Sequence, residues 1–514
     1  MKNSVYKWKI QDVNILCILH WRNSGILKLR VLLINFDLND VHMFDDDIDD
    51  EDWGPLDETL RRYEEVKKGT SAGILDEEEF ERVVEYYFQN SNEEQALLAC
   101  EIARTYYPFS TSILLLRAEI LTQAQKYGQA LKALDEMEQS DNNNLDAVLL
   151  RSDILLSQFK YDQAALLLEQ RSGEFHGKEK IEILLELSDV YDESEEFDAV
   201  FDTLKRVIKI DRRNEEALQK ICFWAEFTGR LEESVAIHTQ LSDDDPYNAL
   251  AWFNLGAAFQ GLKLYEKCID AYEYCVVIDE KFEFAYRNMA DAYMRLKWYG
   301  KALEVLEKHI EIAKPEDVIF EAMGFCWEKQ KDFARARQFY RQASQLSPQD
   351  DGIFYKIGET YAREKQWEKA VKSYSVALHL DKENASYCMA IGNCLMEMDV
   401  KSEALVCYLN AVRLKPGNKT TWVALIRGLY ITGYYEEAIT QLEVAREHCG
   451  EKGDFYYYHA AALFETGKAK EALLQLEKGL KLAPTKIKVF TDLNPEFLLR
   501  SAVADAISKH KKSK

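Results

Sequence analysis

The residues of this 514-residue chain with the strongest claim to chemistry are its ten cysteines and nine histidines, and their spacing offers them little to do. No pair stands as CxxC and no HExxH sets two imidazoles on one helix face, so no zinc or dithiol site is spelled out. Phosphate loops of the GxxxxGK[ST] or GxGxxG kind are also missing from the sequence. The run Phe44-Asp45-Asp46-Asp47-Ile48-Asp49-Asp50-Glu51-Asp52 lacks the glycine and the closing glutamate that a calcium loop needs. No catalytic residue, metal or cofactor is therefore assigned, and the expectation is a protein that is not an enzyme. A formal charge of -24 repels phosphate backbones and anionic lipid, so neither nucleic acid nor membrane insertion is expected. Unpaired thiols in a long chain without a secretion signal point to a cytoplasmic location.

What must position any functional residue is a repeat. The chain matches itself at a spacing of 34 residues, with starts at Glu77, Thr111, Leu145, Ile181, Glu215, Ala249, Glu283, Asp317, Asp351, Ala385, Lys419 and Gly453. Position twenty is small throughout, from Ala96 and Ala130 to Ala438 and Ala472, with Val200, Ser234 and Cys268 as its largest variants. Position eight is mostly small as well, and the two sites are expected to face each other. Position eleven carries Tyr87, Leu121, Tyr191, Phe259, Tyr293, Trp327 and Tyr361, on a stripe whose spacings of three, four and seven are helical. Turn residues near positions fifteen and sixteen, and Pro108, Pro246, Pro348, Pro416 and Pro484 at thirty-two, divide each repeat into two helices. A single hairpin cannot bury its stripe, whereas stacked neighbours can, and so a linear array with one continuous core is expected. Cys222, Cys268 and Cys275 and His238, His309 and His459 fall on these packing positions, so they are read as core residues.

In Trp252-Phe253-Asn254-Leu255-Gly256-Ala257-Ala258-Phe259, and in Tyr355-Lys356-Ile357-Gly358-Glu359-Thr360-Tyr361 followed by Ala370, Tyr374 and Ala377, the chain resembles the tetratricopeptide repeat family. The resemblance covers residues 77–486. It implies an all-α fold, a right-handed α-solenoid superhelix of about twelve helix-turn-helix repeats with a C-terminal capping helix, presenting a concave groove to a protein or peptide.

Outside the array, residues 1–43 hold a broken apolar stretch from Ile15 to Phe36 that suits neither a signal peptide nor a spanning helix. They are read as leader sequence with Met43 as the working start, against the alternative of an added helix docked on the first repeat. Residues 44–76 are taken as an acidic segment and a short amphipathic helix over 56–68, and residues 487–514 as a cap with a basic tail. Two extra residues near Ser172-Gly173-Glu174-Phe175-His176-Gly177 are taken as a longer loop.

The family's groove positions are two, five, nine, twelve and thirteen of each first helix. Carried over, they assign an acidic half with Glu119, Asp153, Glu182, Asp189, Asp192 and Glu226, and no lysine or arginine at these sites in the first five repeats. The mixed, apolar half comprises Phe253, Arg287, Met294, Arg295, Phe325, Tyr355, Arg363, Met396 and Tyr430, with Asn254 and Asn288 at position six. Those two asparagines stand where a clamp for a terminal carboxylate places them, but Val318 and Ala322 replace the basic residues such a clamp requires. Repeated carboxylates would steer a basic segment of a partner. The function expected is an interaction scaffold or assembly factor, with a catalytic or regulatory site hidden in the groove and an envelope-associated assembly role as alternatives.

Overall fold

The computed structural model describes residues 6–10, 13–21, 27–30, 53–70 and 74–512, with side chains from 58 to 70 and 74 to 510. Met43 and the run Phe44 to Asp52 lie outside the described residues. The chain divides into two compact units, Met1–Ala292 and Tyr293–Lys514.

The first unit begins with strands β1 (Tyr6–Ile10), β2 (Val13–Trp21) and β3 (Leu27–Arg30), paired antiparallel in that order. Among the described residues of this stretch there are strands and no helix, where an added helix was weighed. Tyr6-Lys7-Trp8-Lys9-Ile10 alternates aromatic or aliphatic with basic residues, a period of two that suits a strand. From Trp53 on, the described chain is helical. The helix Trp53–Lys67 lays Tyr63 against Phe80 and Tyr87, with ring centroids 6.4 and 6.0 Å away.

Hairpins follow, each a first helix and an antiparallel second helix. First helices begin at Glu77, Thr111, Leu145, Glu215, Ala249, Glu283, Asp317, Asp351, Ala385, Lys419 and Gly453. Their N-termini are fixed by the residue just before: Ser110, Asn144, Asn214, Asn248, Asp350, Asn384 and Asn418 accept hydrogen bonds from backbone N–H groups two or three residues on. Trp252 and Trp422 add a second tie, donating from Nε1 to the carbonyls of Pro246 (3.0 Å) and Pro416 (2.7 Å). Between the helices, position fifteen is left-handed in every repeat, from Ser91 (φ 57°) to Gly467 (φ 79°). That conformation ends one helix and lets the next begin two residues later. The fourth repeat differs, because its first helix is Gly177–Glu193. The helix gains four residues ahead of Ile181, the preceding helix Tyr161–Arg171 is three residues shorter than the usual fourteen, and the loop between them, residues 172–176, is one residue longer than the four of most repeats.

Position twenty is buried in each repeat, Ala96, Ser234, Cys268 and Ala404 among them. Where position eight is glycine, a further side chain lies over it. A Cβ built on Gly256, Gly324 or Gly358 would fall 2.5 Å from the ring of Tyr272, Tyr340 or Tyr374, and on Gly392 2.7 Å from Tyr408. In these four repeats the space over position eight therefore holds the side chain of position twenty-four, one turn beyond twenty on the second helix. The second unit closes on Lys488–Leu493, a 3-10 turn Pro495–Leu499 and a final helix Ser501–Lys512. Phe490, Phe497 and Val503 are buried there, and Phe490 and Phe497 stack with centroids 5.0 Å apart beside Phe464. Asn494 caps the 3-10 turn that Pro495 opens.

Candidate functional site

In the first unit, position nine of four successive first helices carries Glu85, Glu119, Asp153 and Asp189. Glu119 is half-buried, and burial, then Asp146 and Glu85, raise its carboxyl above the usual range. Asp192 is held more tightly: burial first, then Asp189 and Glu193, push it up to about 7 against the opposing pull of Lys220. Carboxylates that crowd and desolvate one another give up protons late, because each ionisation raises the cost of the next. Glu182 and Glu226 are exposed, and Asp153 is half-buried.

This half is not free of cations. Lys220, at position six, inserts its ammonium between Asp189 and Glu216, 2.7 Å from each. Burial works against its charge, but Asp189 and Glu216 outweigh burial and hold Lys220 above the ordinary lysine range. The groove positions carried over from the family leave out position six, so this lysine went unseen. Its signal in the sequence is an i, i+4 pair, Glu216 followed by Lys220.

The apolar half is largely turned to internal use. Asn254 is buried and its amide donates to the Leu218 carbonyl at 2.7 Å, tying two neighbouring hairpins, so it offers nothing to a ligand. Tyr430 is buried too, its hydroxyl donating to Glu465 at 3.0 Å. Both assignments are corrected on that ground. Phe253 sits against Tyr272 and Phe282, with centroids 5.7 and 5.0 Å away, and Asn288 donates to the Tyr272 hydroxyl at 3.4 Å. Arg287 is half-buried.

In the second unit Tyr355 stands between Tyr374 and Tyr387 at 5.3 and 5.1 Å; burial, then Glu359, push its phenol up to about 12. Phe325 lies 6.2 Å from Tyr299, with the Lys329 ammonium 4.8 Å above its ring. Met294 and Met396 are half-buried, and Arg295 and Arg363 are exposed. Thus the exposed members of the candidate set are charged, and the aromatic ones mostly seal helix to helix.

Sequence reasoning also missed the tyrosines of position twenty-four. Their hydroxyls cross the hairpin to polar residues on the first helix: Tyr272 donates to Gln260 (2.8 Å), Tyr340 to Glu328 (2.9 Å), Tyr374 to Glu359 (2.7 Å) and Tyr408 to Asn393 (2.8 Å). The available signal was glycine at position eight whenever tyrosine stands at twenty-four. Nucleophilic chemistry is poorly served by the thiols, since burial pushes Cys100, Cys222, Cys268, Cys275 and Cys326 up to about 12. Among the described residues, no group of three or more His, Cys, Asp or Glu side chains is arranged to hold a metal, and no helix is long and apolar enough to cross a membrane.

Residues 285–315 match the family model of the tetratricopeptide repeat. No curated protein matches the chain. Among solved structures it is similar to YrrB, a tetratricopeptide protein with an unusual peptide-binding site, at 17% identity and TM-score 0.33 over 36% of this chain and 96% of that one. The C-terminal part of a repeat-containing protein of the same kind from Cytophaga hutchinsonii is 15% identical, with TM-score 0.39 over 50% and 99% of the two chains. The APC/C hetero-tetramer Cut9-Hcn1 gives 14% identity and TM-score 0.30 over 85% of this chain and 96% of that one.

Proposed function

We propose, for a chain built on the tetratricopeptide repeat, that it is a cytoplasmic interaction scaffold whose first helices in repeats one to five hold a basic segment of a partner protein. The observation that carries this reading is two half-buried carboxylates set among others on the first helices: Glu119 beside Asp146 and Glu85, and Asp192 beside Asp189 and Glu193, with burial first and then these neighbours raising Glu119 and Asp192 above the ordinary range. A cation laid along them supplies the counter-charge that solvent withholds from half-buried carboxylates, and so binding releases protons. Because Asp192 titrates near 7, affinity for a basic ligand rises as pH climbs through neutrality and falls below it.

The test is binding of a fluorescent lysine-rich peptide to the full chain and to the variant Glu182→Gln, Asp189→Asn, Asp192→Asn. The expected result is about tenfold weaker binding and a flatter salt dependence for the variant. Equal affinity at every salt concentration overturns the reading.

A further inference from the structure

The edge where first helix turns into second carries the opposite charge. In repeats seven, eight and nine, position fifteen is Lys297, Lys331 and Lys365 and position nineteen is Lys301, Arg335 and Lys369, all six exposed and all within the unit Tyr293–Lys514. The ladder stops abruptly. Repeats ten to twelve place Asp399 and Glu403, Gly433 and Glu437, and Gly467 and Glu471 at the same positions.

Folding does not ask for these lysines. Position fifteen needs a left-handed residue, and the turn accepts residues as different as Ser91, Gln125, Phe159, Asp399 and Gly433 there (φ 57°, 57°, 58°, 61° and 85°), so Lys297, Lys331 and Lys365 are not required by it. Lys297, Lys331 and Lys365 stand exposed at the tips of three successive turns and present a row of positive charge to solvent. Their partners at position nineteen are already ordered by aromatic faces. Lys301 lies 5.0 Å from the Trp298 ring centroid and 5.6 Å from that of Tyr293; Arg335 lies 4.5 Å from Trp327, and Lys369 5.7 Å from Tyr361. A cation held over a ring loses little freedom when a second, anionic partner arrives. Local competition is modest: Asp332 pairs with Arg335 at 3.4 Å while capping its own helix, and Gln366 accepts from Lys369 at 2.9 Å. Beside the first of these turns lies a shallow depression of about 550 Å³ lined by Lys297, Trp298, Tyr299, Gly300, Lys301 and Gln330, with Trp298 44% exposed.

From this charge and shape we infer that the turn edge of repeats seven to nine is a second docking surface, for a short acidic segment of another protein that places an apolar side chain on Trp298. Neighbouring hairpins lie roughly 10 Å apart, which a chain in the polyproline II conformation covers in about three residues with every third side chain on one face, so a carboxylate at every third residue meets one turn after another. The carboxylates that follow at Asp399 and Glu403 limit the ligand to a short segment and repel a longer polyanion. This surface does not depend on the acidic groove of repeats one to five.

The experiment titrates the full chain with a fluorescein-labelled peptide of about twelve residues, Asp or Glu at every third position and one central Trp. The triple variant Lys297→Glu, Lys331→Glu, Lys365→Glu should bind it about tenfold or more weakly, while binding of the lysine-rich probe is unchanged. If that variant fails to fold, Lys301→Gln, Arg335→Gln, Lys369→Gln serves in its place and should show a loss in the same direction. Failure of the wild-type chain to bind the acidic peptide, loss smaller than about twofold in the folded variant, or binding of a single-stranded oligonucleotide in place of the peptide overturns the inference.

Discussion

Repeats two to four and repeats eight to ten fill the same slot in two ways. In the earlier group position eight is Ala118, Ser152 or Ser188 and position twenty-four is Leu134, Leu168 or Leu204; in the later group glycine at 324, 358 and 392 receives Tyr340, Tyr374 and Tyr408. Bulk has been moved from the first helix to the second, with the volume between them conserved. The exchange changes the chemistry of the first helices. A buried tyrosine needs a partner for its hydroxyl, and Glu328, Glu359 and Asn393 on the first helices supply it. No tyrosine stands at position twenty-four beneath Glu119, Asp153 or Asp189, and there position nine faces another use. Packing in one place thus decides which polar side chains remain for ligands in another.

The comparison can be broken at its strongest point first. Tyr340→Ala leaves a ring-sized void and strips Glu328 of its donor, and should cost about 3 to 5 kcal/mol in denaturant unfolding. A loss under about 1 kcal/mol would mean that the slot collapses and that the two groups do not differ in kind. Next, Gly358→Ala drives a methyl to 2.5 Å from Tyr374 and should cost about 1 to 3 kcal/mol. Adding Tyr374→Leu converts repeat nine to the alanine and leucine pairing of repeat two, and the double variant should recover most of that loss; a loss equal to the sum of the two single changes would refute the shared slot.

The smallest effect is at repeat five, which follows neither pattern. His238 occupies position twenty-four, fully buried with neither ring nitrogen hydrogen-bonded, and burial pushes it down to about 3. The unfolded chain takes up a proton there near pH 6.5 and the folded chain does not, so stability is intact above that pH and falls as pH drops toward 3. The slope is at most about 1.4 kcal/mol per pH unit. His238→Leu, which installs the side chain of Leu204 and Leu306, should flatten this acid limb in melts between pH 7 and 5. An unchanged limb would place the titration elsewhere.

The helical period, the hairpin and the buried small residue at position twenty were legible in the sequence because each recurs every 34 residues and needs no partner to be identified. Partnership was the harder part. Positions eight and twenty were read together from size alone, and the ring of position twenty-four that lies over the glycines of position eight went unseen because only the folded hairpin brings it across. Groove positions suffered likewise. The rule that assigns them describes one hairpin, while the burial of Tyr430 against Glu465 and of Asn254 against Leu218 is a property of two adjacent hairpins. Lys220 escaped because its position lies between those the rule counts. The strand at Tyr6–Ile10 was written in five alternating residues, too few to stand out beside a helical period read over hundreds.

The crossing tyrosines carry one more consequence. Burial, followed by the neighbouring carboxylates Glu328 and Glu359, holds the phenols of Tyr340 and Tyr374 far above their normal range, and burial pushes Tyr408 up to about 12. An unfolded chain surrenders those protons near pH 10, so alkali rewards opening of the hairpins that contain them. The three successive repeats form a base-labile stretch, and the ultraviolet band of ionised phenol would rise there in step with unravelling.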